Sequence, residues 1–200
     1  MNDLPVSGFA ANAETLISLA AGLGLSAACG FRVFVPLLVI GGAARAGLLT
    51  LSPGFSWMET TPALIAFGTA TVLEVLAYYV PWLDHLLDIL ATPAAVIAGV
   101  VASAAVFVDL PPLVRWSVAL VGGGAAAGLV QGATVALRLK SSAFTGGLGN
   151  PVLATAELAG SALLSILAVL IPLLGLLLLV AGMVAAFRLS GRLLFGRRPG

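Results

Sequence analysis

The fold of this chain is decided by residues 151–187, which read PVLATAELAGSALLSILAVLIPLLGLLLLVAGMVAAF. Apart from Glu157, this stretch is almost uninterrupted in its hydrophobicity. As a single helix it would be about 55 Å long, whereas the hydrocarbon core of a bilayer is about 30 Å thick. The stretch therefore predicts two membrane-spanning helices separated by a break near Pro172 to Gly175.

Composition places the whole chain in a membrane. Of the 200 residues, 60% are hydrophobic and 8% are charged, and the mean hydropathy is +1.16. Soluble domains carry about 25% charged residues, so this chain cannot cover itself with a polar surface. Since each span takes about 20 residues, we expect one integral membrane domain over residues 1–200, surrounded by the lipid bilayer. The net charge of +1 and the lack of a basic stripe argue against nucleic acid as a partner.

Proline, glycine and charged residues divide the remaining apolar sequence into four further spans. The first is so long that we expect it to be bent or broken at residues 30–32 and again at Pro36. Together with the two helices after Pro151, the pattern predicts an all-α polytopic transmembrane helix bundle of about six spans. The four spans are residues 15–44, 62–80, 93–108 and 113–139, with polar connections at 48–61 and 141–151.

Residues 83–90 carry polar side chains on one side only. At about 100° per residue, Asp84, His85 and Asp88 share one helix face and leucines occupy the rest, which is typical of a short helix at the membrane surface. These three side chains could bind a divalent cation or relay protons. The alternative is a hydrated polar face without such a role, and the sequence does not identify a metal.

With six spans, both termini lie on the same side of the membrane, and the distribution of basic residues indicates which side. The side of the termini would hold more basic residues than the opposite side, so the positive-inside rule predicts cytoplasmic termini. We expect the protein in a bacterial inner membrane. The first side holds Arg138, Lys140, Arg188, Arg192, Arg197 and Arg198, and the second holds Arg45 and Arg115.

Two halves of the chain follow a similar plan. Residues 15–108 and 113–187 can each be divided into a long span, a connection, a second span, a proline-marked break and a third span. Three spans per half would give the halves opposite orientations, the inverted-repeat plan of many transporters, whose site lies near the midplane. The alternative is that two glycine- and alanine-rich halves resemble each other by composition alone.

Four polar residues within the predicted spans are candidates for an ion or solute pathway. Glu74 lies well inside its span, where an ionised carboxylate normally faces the protein interior or water. Arg32 is expected to pair with Glu74, either in the pathway or as a structural ion pair. Glu157 is close enough to the connection at 141–151 to be hydrated at the interface. Gln131 could line a cavity or hydrogen-bond between helices.

Other features indicate packing. Tyr78 and Tyr79 lie at the end of a span and are typical of the interfacial aromatic belt. Gly124, Gly128 and Gly132 repeat at four-residue spacing, which permits close helix packing within the chain or in a homodimer.

Several kinds of chemistry find no support in the sequence. It contains no phosphate-binding loop, no paired-histidine zinc motif and no nucleophile elbow. With one cysteine, Cys29, intramolecular disulfides are excluded. An enzyme is therefore disfavoured, and we expect no cofactor.

Residues 24–36 read GLSAACGFRVFVP, residues 74–88 read EVLAYYVPWLDHLLD, and residues 92–99 read TPAAVIAG. These segments resemble a family of membrane proteins catalogued as domain of unknown function 4126. The resemblance covers most of the chain and implies no activity. It does imply that five residues belong to the pattern of the family, namely Arg32, Glu74, Asp84, His85 and Asp88.

These observations give three functional hypotheses. The first is a small transporter or channel for an ion or small solute, in which Arg32, Glu74 and Glu157 line a polar site. Free backbone groups at the broken first span would contribute to that site. The second is a non-transporting assembly or lipid-interacting protein that docks through residues 83–90. The third is an intramembrane metal-dependent enzyme that uses the acidic residues and histidine of the same segment.

Overall fold

The computed structural model describes the backbone of residues 4–79 and 81–195, and the side chains of residues 13–79 and 89–184. Within these ranges every regular element is helical and no strand occurs, which confirms the predicted all-α bundle. A short 3-10 helix, Ser56–Glu59, precedes α3, and a π-helical segment, Ala119–Gly123, joins α5 to α6. The helices are α1 Leu4–Cys29, α2 Phe34–Arg45, α3 Thr61–Ala77, α4 Pro81–Val106, α5 Pro112–Val118, α6 Gly124–Thr145, α7 Asn150–Leu170 and α8 Pro172–Phe195.

Helix length and composition make this chain a membrane protein. Three helical segments are long and apolar enough to cross a bilayer, namely Ile89–Val106, Pro112–Thr145 and Asn150–Leu170. Shorter apolar segments lie in the other four long helices, at Ala13–Cys29, Phe34–Arg45, Thr61–Ala77 and Pro172–Val184. The number of six spans stays a prediction.

Both long apolar stretches are broken where the sequence predicts. α1 ends at Cys29 and α2 begins at Phe34, while α7 ends at Leu170 and α8 begins at Pro172. Proline is favourable at the first position of a helix, because its missing N–H has no partner there in any case. The predicted second interruption at Pro36 is wrong. This residue lies in the first turn of α2, where a missing N–H breaks no helical hydrogen bond.

Residues 81–106 form one helix, so the predicted separation of a surface helix at 83–90 from a span that begins at Pro93 is wrong. Pro93 lies inside α4 and removes one backbone donor. A full break would leave several backbone groups to find other partners, which is costly in an apolar environment. The side chains of Asp84, His85 and Asp88 lie outside the described residues.

The fourth predicted span extends further than expected. α5, the π segment and α6 form one helical run, Pro112–Thr145, so the predicted end near residue 139 is wrong. The last helical residue is instead Thr145. Gly146 follows it with a φ of 62°, in the left-handed region that glycine adopts without a steric penalty. Arg138 therefore lies inside a helix.

α1 is the central helix of the bundle and packs against α4, α6, α7 and α8. The hydroxyl groups of Ser26 in α1 and Ser103 in α4 hydrogen-bond at 2.5 Å. A Cβ atom at Gly24 would lie 2.9 Å from the Cβ atom of Ala168, so α1 and α7 need a glycine to approach this closely. As a result, the carboxyl end of α1 lies among helices from the second half of the chain.

The glycines of α6 pack only in part. A Cβ atom at Gly124 would lie 3.2 Å from Val100, and one at Gly128 would lie 3.3 Å from Val96, both in α4. A Cβ atom at Gly132 would meet nothing within 4 Å. The first two glycines therefore serve packing within the chain.

Candidate functional site

The break between α1 and α2 lies directly against α6. A Cβ atom at Gly30 would lie 2.5 Å from the carbonyl oxygen of Ala127 and 3.0 Å from the backbone nitrogen of Gln131. Only a residue without a side chain permits this approach. The break therefore holds the next residues of the chain, including Arg32, close to α6 and α7.

Arg32 is buried, with 1% of its surface exposed. Its Nη2 atom donates to the carbonyl oxygen of Ala154 at 2.8 Å and lies 3.6 Å from Oε2 of Glu157. Its Nε and Nη1 atoms are buried and have no hydrogen-bond partner among the described residues. Buried polar atoms nearly always have a partner, so these two donors are unusual.

Glu74, in α3, binds the backbone at the start of α2. Its Oε1 atom accepts from the N–H of Val33 at 2.8 Å, and its Oε2 atom accepts from the N–H of Phe34 at 3.2 Å. A carboxylate in this position complements the positive end of the helix dipole. Because both oxygens are engaged by the backbone, the predicted pairing of Arg32 with Glu74 is replaced by the contact of Arg32 with Glu157.

Every backbone N–H from residue 30 to residue 34 has a partner. The N–H groups of residues 30–32 donate to the carbonyl oxygens of Ala27 and Ala28, and those of residues 33 and 34 donate to Glu74. The prediction of free backbone groups at the break is therefore wrong for its N–H groups. The unpartnered donors at this point belong to the Arg32 side chain.

Arg138 and Glu157 form a buried ion pair across α6 and α7. The Nε atom of Arg138 donates to Oε1 of Glu157 at 3.0 Å, and its Nη2 atom donates to Oε2. Only 3% of Arg138 and 7% of Glu157 are exposed. The sequence placed Arg138 at an interface and left Glu157 either hydrated there or in the pathway. In the structure neither side chain is hydrated, because α6 continues beyond residue 139 and α7 returns alongside it.

Tyr78 lies beside both guanidinium groups. The distance from Cζ to the centroid of its ring is 4.1 Å for Arg32 and 3.9 Å for Arg138. Only 5% of Tyr78 is exposed, so its predicted place in the interfacial belt is wrong. Tyr79, in contrast, is 45% exposed, and its hydroxyl hydrogen-bonds to that of Thr155 at 2.8 Å. We refer to Arg32, Glu74, Tyr78, Arg138 and Glu157 as the charged cluster.

The sequence reasoning missed Arg138 and Tyr78 as members of the cluster. A signal for Arg138 was present, since Gln131, Thr134 and Arg138 lie on one face of a helix at spacings of three, four and seven. All three are buried, and the hydroxyl of Thr134 donates to the carbonyl oxygen of Gln131 at 2.9 Å. Gln131 thus shares the inner face of α6 with Arg138.

An apolar groove of about 540 Å³ lies beside the cluster, between α6, α7 and α8. Phe31 and Leu137, which line it, precede Arg32 and Arg138 in the sequence. Among the described residues that line it, Thr134 alone has a polar side chain. The lining comprises Phe31, Leu129, Val130, Ala133, Thr134, Leu137, Gly160, Leu163, Leu164, Leu167, Leu178, Leu179, Gly182 and Met183.

The described residues contain no group of three histidine, cysteine, aspartate or glutamate side chains that could hold a metal ion. The segment for which the sequence suggested a metal or a proton relay, with Asp84, His85 and Asp88, has its side chains outside that part of the chain. A metal site there stays a prediction.

Comparison with known families identifies the group to which this chain belongs. The model of the family described as Domain of unknown function (DUF4126) matches residues 19–192. The chain is a member of that family, as the resemblance of its three segments indicated. No curated protein and no solved structure matches the chain.

Proposed function

We propose that this member of the DUF4126 family is a small transporter or channel for an ion or small solute, with its polar site at the break between α1 and α2. The observation that carries the proposal is the buried guanidinium of Arg32, two of whose nitrogen atoms have no partner among the residues that the structure describes. Charged residues within membrane helices usually face a pathway or pair with one another. An incomplete set of partners favours a pathway.

The broken first helix supports the same function. Transporters commonly place their site where a helix is interrupted near the bilayer midplane. Irregular backbone at that depth is tolerated where it is buried in protein or lines a cavity. Here the interruption between Cys29 and Phe34 is enclosed by α6 and α7 and carries Arg32.

The composition of the charged cluster suits a site between two halves. The proposed half 15–108 contributes Arg32 and Glu74, and the proposed half 113–187 contributes Arg138 and Glu157. An inverted repeat would place its substrate site at such a junction. Movement of one half against the other would then change the contact of Arg32 with Glu157.

A flux experiment tests the proposal. Purified protein in liposomes is screened with protons, monovalent and divalent cations, and small anions. Glu74→Gln should abolish the specific flux, whereas Asp109→Asn, at an exposed carboxylate outside the long helices, should leave it unchanged. Each variant must be inserted and folded to the same extent as the wild type. Flux that survives Glu74→Gln would contradict a pathway through the cluster.

A second candidate function, lipid binding without transport, is favoured by the apolar groove. Its volume of about 540 Å³ is that of a small-molecule site, and its lining is almost entirely hydrophobic. An acyl chain suits such a surface. This candidate gains support if flux is absent across the whole panel.

Two glycines provide a matched test of lipid binding. A side chain at Gly160 would enter the groove, since the residue lines it and no atom lies within 4 Å of its Cβ position. Gly132 is equally open but does not line the groove. Gly160→Phe should reduce the lipid that co-purifies with the protein, and Gly132→Phe should not.

A further pair of variants separates transport from docking through residues 83–90. A transporter should be more sensitive to Glu74→Gln, whereas a protein that docks through residues 83–90 should be more sensitive to Asp84→Asn combined with Asp88→Asn. Flux and growth of cells that depend on the protein are compared for both variants. Loss caused only by the aspartate changes would favour docking.

A further inference from the structure

We infer that the charged cluster binds a small anion, such as a halide, nitrate or a short carboxylate, at the guanidinium of Arg32. The inference rests on the proposed transport function and names the class of its substrate. It starts from the two buried nitrogens of Arg32, Nε and Nη1, that have no partner in the described part of the chain. A guanidinium has only donors and stays charged in proteins, so whatever completes it must supply acceptors.

The hydrogen bonding around Arg32 favours an anion, because a guanidinium binds an ionised acceptor more strongly than a neutral one. Glu157 already accepts two hydrogen bonds from Arg138, and Arg32 lies 3.6 Å from the Oε2 atom that Arg138 also binds. Two guanidinium groups thus share one carboxylate. Glu74 adds the second carboxylate of the cluster, but its oxygens accept from backbone N–H groups and not from Nε or Nη1 of Arg32.

The ring of Tyr78 does not supply the missing hydrogen-bond acceptors of Arg32 either. The ring of Tyr78 lies 4.1 Å from the Cζ atom of Arg32, so it stabilises the cation through its face. It lies equally close to Arg138. A ring face does not replace in-plane acceptors for Nε and Nη1, which leaves these positions for a ligand.

The surroundings indicate a small, free anion rather than a lipid headgroup. Arg32 is 1% exposed, so its guanidinium is shielded from solvent. The lining of the apolar groove includes neither Arg32 nor Arg138. A lipid whose chain lies in the groove would therefore not bring its headgroup to the guanidinium along that surface.

Thermal unfolding of the purified protein in a non-ionic detergent tests the inference. Chloride, nitrate and acetate are titrated as sodium salts against sodium gluconate at constant ionic strength, without anionic lipid. We expect at least one of these anions to give a saturable rise in Tm of about 5 °C at a hundredfold excess over Kd. The rise should be absent in Arg32→Gln.

Arg115→Gln is the matched control. Arg115, in α5, is also mostly buried and also has an Nε atom without a partner, but it lies outside the charged cluster. Its variant should keep the anion response. An equal response in Arg32→Gln, or none in the wild type, would overturn the inference, since the effect would then be a general effect of salt or absent.

Arg32→Lys keeps the inference testable if the glutamine variant does not fold. Lysine retains the charge but lacks the planar set of donors, so we expect Kd for the anion to rise about tenfold or more. An unchanged Kd would place the anion elsewhere in the protein and overturn the inference.

Flux separates this inference from the proposed function. Stabilisation by an anion together with flux of the same anion supports both. Flux of cations or protons alone, blocked by Glu74→Gln and without stabilisation by anions, supports transport and overturns the anion site. Stabilisation that depends on Arg32 without any flux supports the anion site and contradicts transport.

Discussion

Two arginines of the charged cluster are both almost fully buried, but they differ in how many of their nitrogens have hydrogen-bond partners. Arg138 directs Nε and Nη2 at the two oxygens of one carboxylate, as in the strong side-on pairs of folded proteins. Arg32 lies 3.6 Å from the same carboxylate and donates to one carbonyl oxygen, and two of its nitrogens have no partner within the described ranges. Burial of a charged side chain therefore does not by itself define its role. Arg138 joins α6 to α7 through its carboxylate, whereas two nitrogens of Arg32 have no partner in the described part of the chain.

The largest effect is expected at the carboxylate that both arginines share. Glu157→Gln leaves two buried cations without their counter-ion, and loss of one member of a buried ion pair typically costs about 3–5 kcal/mol. We expect a loss of this size in the free energy of unfolding, measured by SDS titration in mixed micelles. Arg138→Met combined with Glu157→Met should recover part of it, because the charges are removed together. A loss below about 1 kcal/mol would mean that the pair does not stabilise the bundle.

The second prediction compares the loss of stability on replacing each of the two arginines. Arg138→Gln should reduce the free energy of unfolding by about 3 kcal/mol, since it removes the charge that donates two hydrogen bonds to Glu157. Arg32→Gln should cost only about 1–2 kcal/mol, because the Arg138–Glu157 pair stays intact and two unpartnered donors disappear. Both variants are measured in the same titration. Equal losses would contradict the view that Arg32 is the less completely bound residue.

A smaller effect is expected at Glu74, whose bonds are to the backbone. Glu74→Gln keeps one acceptor but loses the charge at the start of α2, at a cost of about 1–2 kcal/mol. Hydrogen exchange should become faster at the amides of Val33 and Phe34 and stay unchanged in α7. Asp109→Asn serves as the control. Unchanged protection at both amides would show that the carboxylate does not hold the helix end.

The smallest effect concerns the ring between the two guanidinium groups. Tyr78→Leu removes both cation–π contacts and should lower the free energy of unfolding by about 1 kcal/mol. Tyr78→Phe keeps the ring and should lose less. The comparison uses the same unfolding assay for both variants. A phenylalanine variant as unstable as the leucine variant would assign the contribution to the hydroxyl group.

Much of the helical architecture could be predicted because it depends on local sequence. The break before Pro172 follows from the length of an apolar stretch, and the break after Cys29 follows from a glycine and an arginine in an otherwise apolar segment. The breaks predicted at Pro36 and before Pro93 are absent from the structure. A proline in the first turn, or inside a helix that apolar surroundings support, does not end that helix.

The candidate site was predicted only in part. Arg32, Glu74 and Glu157 were recognised because charges within apolar segments are costly and therefore conspicuous. Arg138 was assigned to an interface because Lys140 lies two residues later and the predicted helix ended at residue 139. Tyr78 was assigned to the aromatic belt by its place near the end of a span. In both cases the decisive neighbours lie on other helices.

By itself, the sequence determined that this protein is a helical membrane protein with broken apolar segments, because hydrophobic length and the loss of backbone hydrogen bonds act locally along the chain. Only the tertiary structure decided which charges meet. Val33 contacts Glu74 across 41 residues, and Arg32 contacts Ala154 across 122. Such pairings depend on how α1, α3, α6 and α7 pack, and on the glycines that let α1 approach its neighbours. That packing directs two nitrogens of Arg138 at one carboxylate and leaves two nitrogens of Arg32 without a partner among the described residues.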